Sequence, residues 1–265
     1  MEQKIAVEIR DLVKDFSIVR GQKAQLKSLL FPGKSQETFR ALDGVTANFH
    51  FGERVGLIGL NGSGKSTLST IISGITPATS GHIAVNGTVS MLNTSVGLNP
   101  RLTGRESIYY KCLLLGFRME EIQKMEPEII KFASIGMHID QPLRTYSSGM
   151  RARLGFAISS QLNPDILVVD EALAVGDDTF AAKCEAWMTD FCQRGRCIIF
   201  VSHSLSTMKQ FCQKVLWLHH GHQVAYGDAG PVLDGYWRFT QRFKQLSPAE
   251  QDKFMPTAEE FIPKK

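Results

Sequence analysis

The chain has 265 residues, of which 43% are hydrophobic and 21% charged, and its net charge is +4. That length holds one large α/β domain or two small ones, the apolar share supports a substantial core, and the charged share excludes a disordered chain. No stretch approaches the roughly 18 apolar residues of a membrane span and no signal-peptide apolar region opens the chain, which predicts a cytosolic protein unless a partner holds it at a membrane. The five cysteines, Cys112, Cys184, Cys192, Cys197 and Cys212, form no C-x-x-C pair and read as scattered reduced thiols.

In chain order, Ile5–Ile9 alternates and predicts a strand. Residues 10–40 carry Arg10, Lys14, Arg20, Lys23, Lys27, Lys34 and Arg40 against Asp11, Asp15 and Glu37, a surplus equal to the net charge of the whole chain. A solvated face is the plain explanation, and a surface near anionic lipid or polyanion the sharper one. No aromatic–basic interleaving of the RNA-binding type occurs, so no nucleic-acid partner is expected. Residues 21–38 read as a surface insertion broken by Pro32-Gly33, in which Leu26, Leu29, Leu30 and Phe31 have the spacing of a short amphipathic helix. A strand is expected over Val45–Phe51. Next comes the apolar run Arg54–Ile58, followed by Gly59-Leu60-Asn61-Gly62-Ser63-Gly64-Lys65-Ser66 and the helix-like run Thr67–Ile72.

That strand–loop–helix fits G-x-x-x-x-G-K-[S/T], a loop that cradles phosphates. Its glycines let backbone N–H groups turn toward an anion, and the following helix points its positive dipole end at the same place. Lys65 supplies an ammonium for the β and γ phosphates, and the Ser66 hydroxyl is placed for Mg²⁺.

Further along, His82–Leu92 predicts a hairpin around Asn86-Gly87. Helix-period residues fill Glu106–Leu115, Glu120–Ile135 and Met150–Leu162, with Gly116, Gly136 and Pro142 as breaks. Short buried strands are expected at Ile166–Val169, Cys197–Val201 and Val215–Leu218, separated by helical pattern as a parallel sheet requires. His219-His220-Gly221-His222 reads as a polar turn between two strands rather than a metal site. After Gly227 come the aromatics Tyr236, Trp237, Phe239 and Phe243 and then a polar end, too short for another domain.

Ile166–Val169 runs into Asp170-Glu171, which puts two carboxylates at the mouth of the sheet, where ligands bind in α/β folds. Asp170 would hold Mg²⁺ and Glu171 would polarise an attacking water as general base. Val201-Ser202-His203 ends the next strand; His203 is placed either to touch a γ phosphate or to stand as a satisfied strand-end histidine. Thr145-Tyr146-Ser147-Ser148-Gly149-Met150 opens a helix, with Ser147 or Ser148 as N-cap and a second anion site as the functional reading.

Together these residues resemble the ATP-binding-cassette (ABC) ATPases over nearly the whole chain. The resemblance implies an α/β fold, a P-loop ABC ATPase domain with a parallel RecA-like core, an antiparallel β subdomain and an α-helical subdomain over about 98–160. It makes residues 1–240 one nucleotide-binding domain and 241–265 a short tail. It also implies ATP and Mg²⁺ as ligands and a head-to-tail dimer with a second copy of the chain. Asn61, Gly62, Ser63, Gly64, Lys65, Ser66 and Thr67 of one copy would hold the nucleotide, and Ser147 and Gly149 of the other would close over it. Asp177 matches the aspartate that couples the two sites, His203 the family's switch histidine, and Phe16 the ring that stacks on adenine, with a core phenylalanine as the competing reading. The family's usual glutamine at the helical-domain entrance is missing from Met91–Asn99, where Asn93 and Ser95 are the candidates to replace it.

Tyr146-Ser147-Ser148-Gly149-Met150 and Asp170–Asp177 are similar to the branch that exports lipid-linked polysaccharides: O-antigens, some capsules and teichoic acids. Gly155–Ser159 and Leu216–His219 look most like its teichoic acid exporters. What the resemblance implies is a subunit on the cytoplasmic face of the membrane, bound to two transmembrane permease subunits. Closure of the dimer on ATP would pull on those subunits and drive an undecaprenyl-diphosphate-linked polymer across. The rival of another class is a soluble ABC ATPase that takes no part in transport.

Overall fold

The computed structural model describes residues 4–18, 37–92, 98–170 and 178–262. The chain forms two compact units, one from Met1–His50, Val55–Asn86 and Val201–Lys265, the other from Phe51–Arg54 and Gly87–Phe200.

In the first unit, β1 (Ile5–Ile18) lies between β2 (Glu37–His50) and β4 (Ser80–Val85), all antiparallel. Alternation along the first half of β1 buries Val7 and Ile9. The strand runs nine residues past the predicted Ile9. Its register with β2 slips between Ile9 and Leu12, where Asp11 takes a positive φ of 45°. Such a bulge breaks the period-two pattern, which is why the sequence reading stops there. β2 likewise begins at Glu37 rather than Val45, because Thr38, Phe39 and Arg40 are all exposed and show no apolar alternation.

The same unit holds β3 (Arg54–Ile58), α1 (Lys65–Ile72), α6 (Leu205–Phe211), β8 (Lys214–His219) and β9 (His222–Asp228). β3 runs parallel to β8, with Gly56 beside Val215 and Ile58 beside Trp217, and β9 returns antiparallel along β8. α7 (Ala229–Phe243) covers β8: the Trp217 ring meets Tyr236 at 5.5 Å and Phe239 at 5.2 Å between centroids. The end of the chain, read from sequence as a polar tail, folds back through α8 (Pro248–Gln251) and α9 (Ala258–Phe261). Phe254 and Phe261 stand 6.0 and 5.9 Å from Phe239, and burying one such side chain is worth about 1.5–3 kcal/mol. Two aromatic side chains in an otherwise polar stretch supply its apolar contact with α7.

The second unit pairs β5 (Val89–Leu92) parallel with β6 (Ile166–Asp170), with β7 (Cys197–Val201) on the other side of β6. Its helices are α2 (Gly104–Leu114), α3 (Met119–Ala133), α4 (Ser148–Ser159) and α5 (Asp178–Gln193). α2 starts at a capping box in which Thr103 and Glu106 satisfy each other's backbone N–H groups. α3 ends at Ser134 in the left-handed conformation, φ 52°. Ile108, Ile122, Ile129, Leu154 and Ile158 close the core between α2, α3 and α4. α5 attaches through Phe180 and Trp187, whose rings lie edge-on to Phe156 at 6.1 and 5.5 Å.

The hairpin expected over His82–Leu92 does not form. β4 pairs with β1 and β5 with β6, so Asn86-Gly87 joins two different sheets. Local bonding explains the divergence. Asn86 gives its backbone N–H to Ala6 O and its Nδ2 to Ile5 O, while the Thr88 N–H and hydroxyl both go to the Asp165 carboxylate. The Asn86 and Thr88 donors are thus committed to segments outside the turn.

His219, at the end of β8, is 2% exposed. Burial first, and then the nearby His220, pushes its pKa down to about 4. An unfolded histidine titrates near 6.5, so the fold prefers the neutral ring and the unfolded chain takes up the proton first. Stability from this group should be complete above pH 6.5 and fall by up to ~3 kcal/mol between pH 6.5 and 4. Denaturant unfolding across that range checks it: His219→Phe should show a shallower acid loss than the parent.

Candidate functional site

β3 delivers the chain to Gly59, where a Cβ would stand 2.3 Å from Leu218 O and 2.4 Å from Ser63 Oγ. Only a residue without one can leave the strand this close to β8. At the far end of the loop Gly64 is the N-cap of α1, with φ 104°, a conformation that costs any L-side chain roughly 1–2 kcal/mol. A Cβ there would also meet Ala41 O and Leu42 Cδ2, each at 2.7 Å. Gly64 brings no side chain to cap the helix, and the first turn of α1 holds no acid. No N-cap side chain therefore competes with an anion for the first turn and the dipole of α1.

Lys65 opens α1 and is 7% exposed. Its Nζ donates to Gly59 O at 2.7 Å and Leu60 O at 2.9 Å, so the ammonium arches back over the loop. Ser63 is buried, Thr67 half-buried, and Asn61, Gly62 and Ser66 are exposed. The loop residues singled out from the sequence thus lie together where β3 leads into α1, with Ser66 exposed. That set of donors fits a polyphosphate and its divalent ion.

His203 lies just past β7 and is exposed. It shares a cavity of about 440 Å³ with Leu60 and Asn61, so the structure brings the phosphate loop and this histidine together. The opposite wall comes from Tyr236 and Phe243 of α7 and the adjoining Lys244, which the sequence reading left in a tail. The polar turn that the sequence predicts at His219–His222 joins β8 to β9. Its Gly221 N–H donates to Ser63 O at 3.1 Å and supports the loop from below. A glycine after a histidine pair is too ordinary to signal that contact.

Phe16 is 39% exposed and sits directly opposite Phe39 across β1 and β2, so it is not a core phenylalanine. The Lys14 Nζ lies 4.9 Å from its ring centroid while donating to Pro77 O. Among the described members of the basic segment, Arg10 pairs with Glu8, and Arg40 pairs with Asp15 at 2.9 Å and Asp43 at 3.2 Å. These three cations are engaged locally.

In the second unit Ser147 is the N-cap of α4, its Oγ accepting from Met150 N at 3.2 Å. Ser147 and Ser148 are exposed and Gly149 half-buried, which leaves the first turn of α4 open to solvent. Asp170 is the last residue of β6. Its side chain lies outside the described residues, as do Glu171 and Asp177, the loop with Asn93 and Ser95, and the insertion expected over 21–38 except its last two residues, which open β2. Among the described residues no group of three His, Cys, Asp or Glu could hold a metal ion.

A glycine-turned phosphate loop on a parallel strand, an antiparallel three-stranded sheet and a helical bundle define an ATP-binding cassette. The chain matches the family model described as ABC transporter over residues 42–174, and it belongs to that family. It is 45% identical to the teichoic acids export ATP-binding protein TagH of Staphylococcus haemolyticus, over 94% of this chain and 95% of that one. It is 46% identical to TagH of Enterococcus faecalis, over 96% of this chain and 57% of that one. Solved structures share the fold at lower identity. One is a dimeric ATP-binding cassette in a post-hydrolysis state bound to ADP and Pi (TM-score 0.67, 20% identical, 84% of this chain and 98% of that one). Another is cbiO1 from Clostridium perfringens (TM-score 0.66, 18% identical, 95% and 99%).

Gly64→Ala should damage the loop twice, through its φ and through the clash with Ala41 O. We expect a loss of ~1–3 kcal/mol in stability and at least a tenfold weaker affinity for ATP, read by thermal unfolding and equilibrium nucleotide binding.

Proposed function

We propose that this chain is the ATP-hydrolysing subunit of an exporter that moves undecaprenyl-diphosphate-linked teichoic acid across the cytoplasmic membrane. The observation that carries the reading is 45% identity to TagH over 94% of the chain, joined to a phosphate loop whose every motif residue is present. On this reading the subunit sits on the cytoplasmic face, held there by two permease subunits. None of its described helices is long and apolar enough to cross a membrane.

In the proposed mechanism Phe16 stacks on adenine. The backbone N–H groups of residues 61–67 hold the phosphates, and the Lys65 ammonium turns from Gly59 O and Leu60 O to the β and γ oxygens. The Ser66 hydroxyl and the Asp170 carboxylate would hold Mg²⁺, which would supply positive charge to offset that of the phosphates. Ser147 and Gly149 of a second copy close over the γ phosphate, using the open first turn of α4. Glu171 takes the proton of the attacking water as its oxygen bonds to the γ phosphorus and the bond to ADP breaks. His203 bonds the γ phosphate and Asp177 links the two sites.

Hydrolysis by this scheme needs Glu171 as base but binding does not. Glu171→Gln should lower ATP turnover by at least a hundredfold and accumulate an ATP-bound dimer, visible as a shift in size-exclusion elution with ATP. A variant that hydrolyses ATP at the parent rate would remove Glu171 from the mechanism.

The permease-facing surface is assigned to the end of α2 and the link into α3. Tyr110, Leu113, Leu114, Leu115 and Met119 are all exposed there, Leu114 by 64%. Apolar side chains gathered at one exposed corner fit an amphipathic partner segment. Leu114→Glu should abolish co-purification with the permease and leave the ATP affinity of the isolated subunit within about twofold.

A further inference from the structure

Residues 218–221 form the floor of the phosphate loop. Leu218 O approaches Gly59, the Gly221 N–H donates to Ser63 O at 3.1 Å, and Gly221 O accepts from the Asp43 N–H at 2.9 Å. His219 lies in the middle of this stretch and its ring packs toward the C-terminal layer. Phe239 and Phe243 of α7 face it edge-on at 5.0 and 5.8 Å, and Nε2 lies 2.9 Å from Phe254 O. A carbonyl can only accept, so Nε2 is the donor. Burial keeps the ring neutral, which leaves a single N–H, fixed on the Phe254 side.

Phe254 itself is tied down. The Arg242 guanidinium lies 5.0 Å from its ring centroid, and Arg242 also pairs with Glu260. Gln251 Nε2 donates to Phe243 O at 3.0 Å and Leu246 O at 3.1 Å, and Arg238 Nη1 donates to Phe261 O at 2.9 Å. The segment from Pro248 to Ile262 is thus a strap fastened over α7, and the Phe254 carbonyl within it meets the residue behind the loop floor.

We propose that His219 is a positioning residue for the ATP phosphates, and that the C-terminal strap holds it in place through the Phe254 carbonyl. The physical link is short. If the strap lifts, a buried N–H loses its acceptor, and burying it unpaired is costly enough that the ring must turn or hydrate. Either response shifts the backbone at Leu218 and Gly221, and that backbone sets the aim of the loop's N–H groups. Anion affinity depends on such aim to within about 0.5 Å. α7 packs against both strap and strand and also lines the cavity beside Asn61 and His203, so the strap bears on the site by a second route.

The proposal rests on the reading that the loop binds ATP, and the test separates the two. ATP affinity of the full-length chain is measured at pH 7.5 by equilibrium binding, alongside KM and kcat. His219→Phe keeps the bulk and removes the donor, while His219→Gln returns an amide donor near the Nε2 position. We expect about a tenfold rise in Kd and KM for His219→Phe with kcat changed much less, and recovery to within about threefold for His219→Gln. Phe254→Ala, which leaves His219 intact, should weaken ATP binding in the same direction. The double variant should be no worse than His219→Phe alone, since both break one link.

A merely structural histidine would lower the melting temperature without moving Kd in the folded protein. Unchanged affinity in His219→Phe or in Phe254→Ala would overturn the proposal, and so would additive losses in the double variant or failure of glutamine to rescue. A parent chain that binds no ATP would instead overturn the nucleotide reading itself.

Discussion

The shape of the phosphate loop depends on one backbone contact, the Gly221 peptide. Its N–H is bonded to Ser63 O inside the loop and its C=O to Asp43 N–H at β2. A glycine-rich loop is floppy by itself, because each glycine loses much conformational entropy on ordering. Bonding the loop's middle to a turn that is itself tied to a sheet confines it without using the N–H groups that must face the anion. The same turn brings Leu218 O against Gly59, so steric exclusion at one end and hydrogen bonding in the middle act together.

The two helix N-termini of the proposed site solve the same electrostatic problem in different ways. α1 begins at a glycine and leaves its first-turn N–H groups uncapped by any side chain. α4 begins at Ser147, whose hydroxyl satisfies the Met150 N–H while the rest of the first turn stays exposed. The serine satisfies one donor of its own helix and the glycine none, a difference worth roughly a few tenths of a kcal/mol when both termini are empty. That difference suits a site in which one wall always holds the phosphates and the other arrives only on closure.

The C-terminal layer has a packing role and a positional one. Trp217, Phe239, Phe254 and Phe261 form one aromatic cluster with ring centroids 5.2–6.3 Å apart. Buried among them, His219 must find a polar partner, and the partner is a carbonyl of the last segment to fold back. A histidine behind the loop's floor therefore turns the docking of a terminal segment into a constraint on a distant loop.

By itself the sequence determined much of this protein. The phosphate loop, the strand at Cys197–Val201, the helices α2, α3 and α4 of the second unit and the candidate roles of Lys65, Ser66, Asp170, Glu171, Ser147 and His203 all follow from local pattern. Each rests on spacing along a single strand, loop or helix. Only the tertiary structure decided the pairing of the strands on either side of Asn86-Gly87, because hairpin propensity is local while the competing bonds to Ala6 and Asp165 come from far along the chain. It also decided where β1 and β2 really end, since a bulge erases the alternation that marks a strand. Most of all it decided the place of the chain's last residues. Two phenylalanines in a polar stretch have no periodicity to detect, and the carbonyl that meets His219 belongs to the backbone, which every sequence shares.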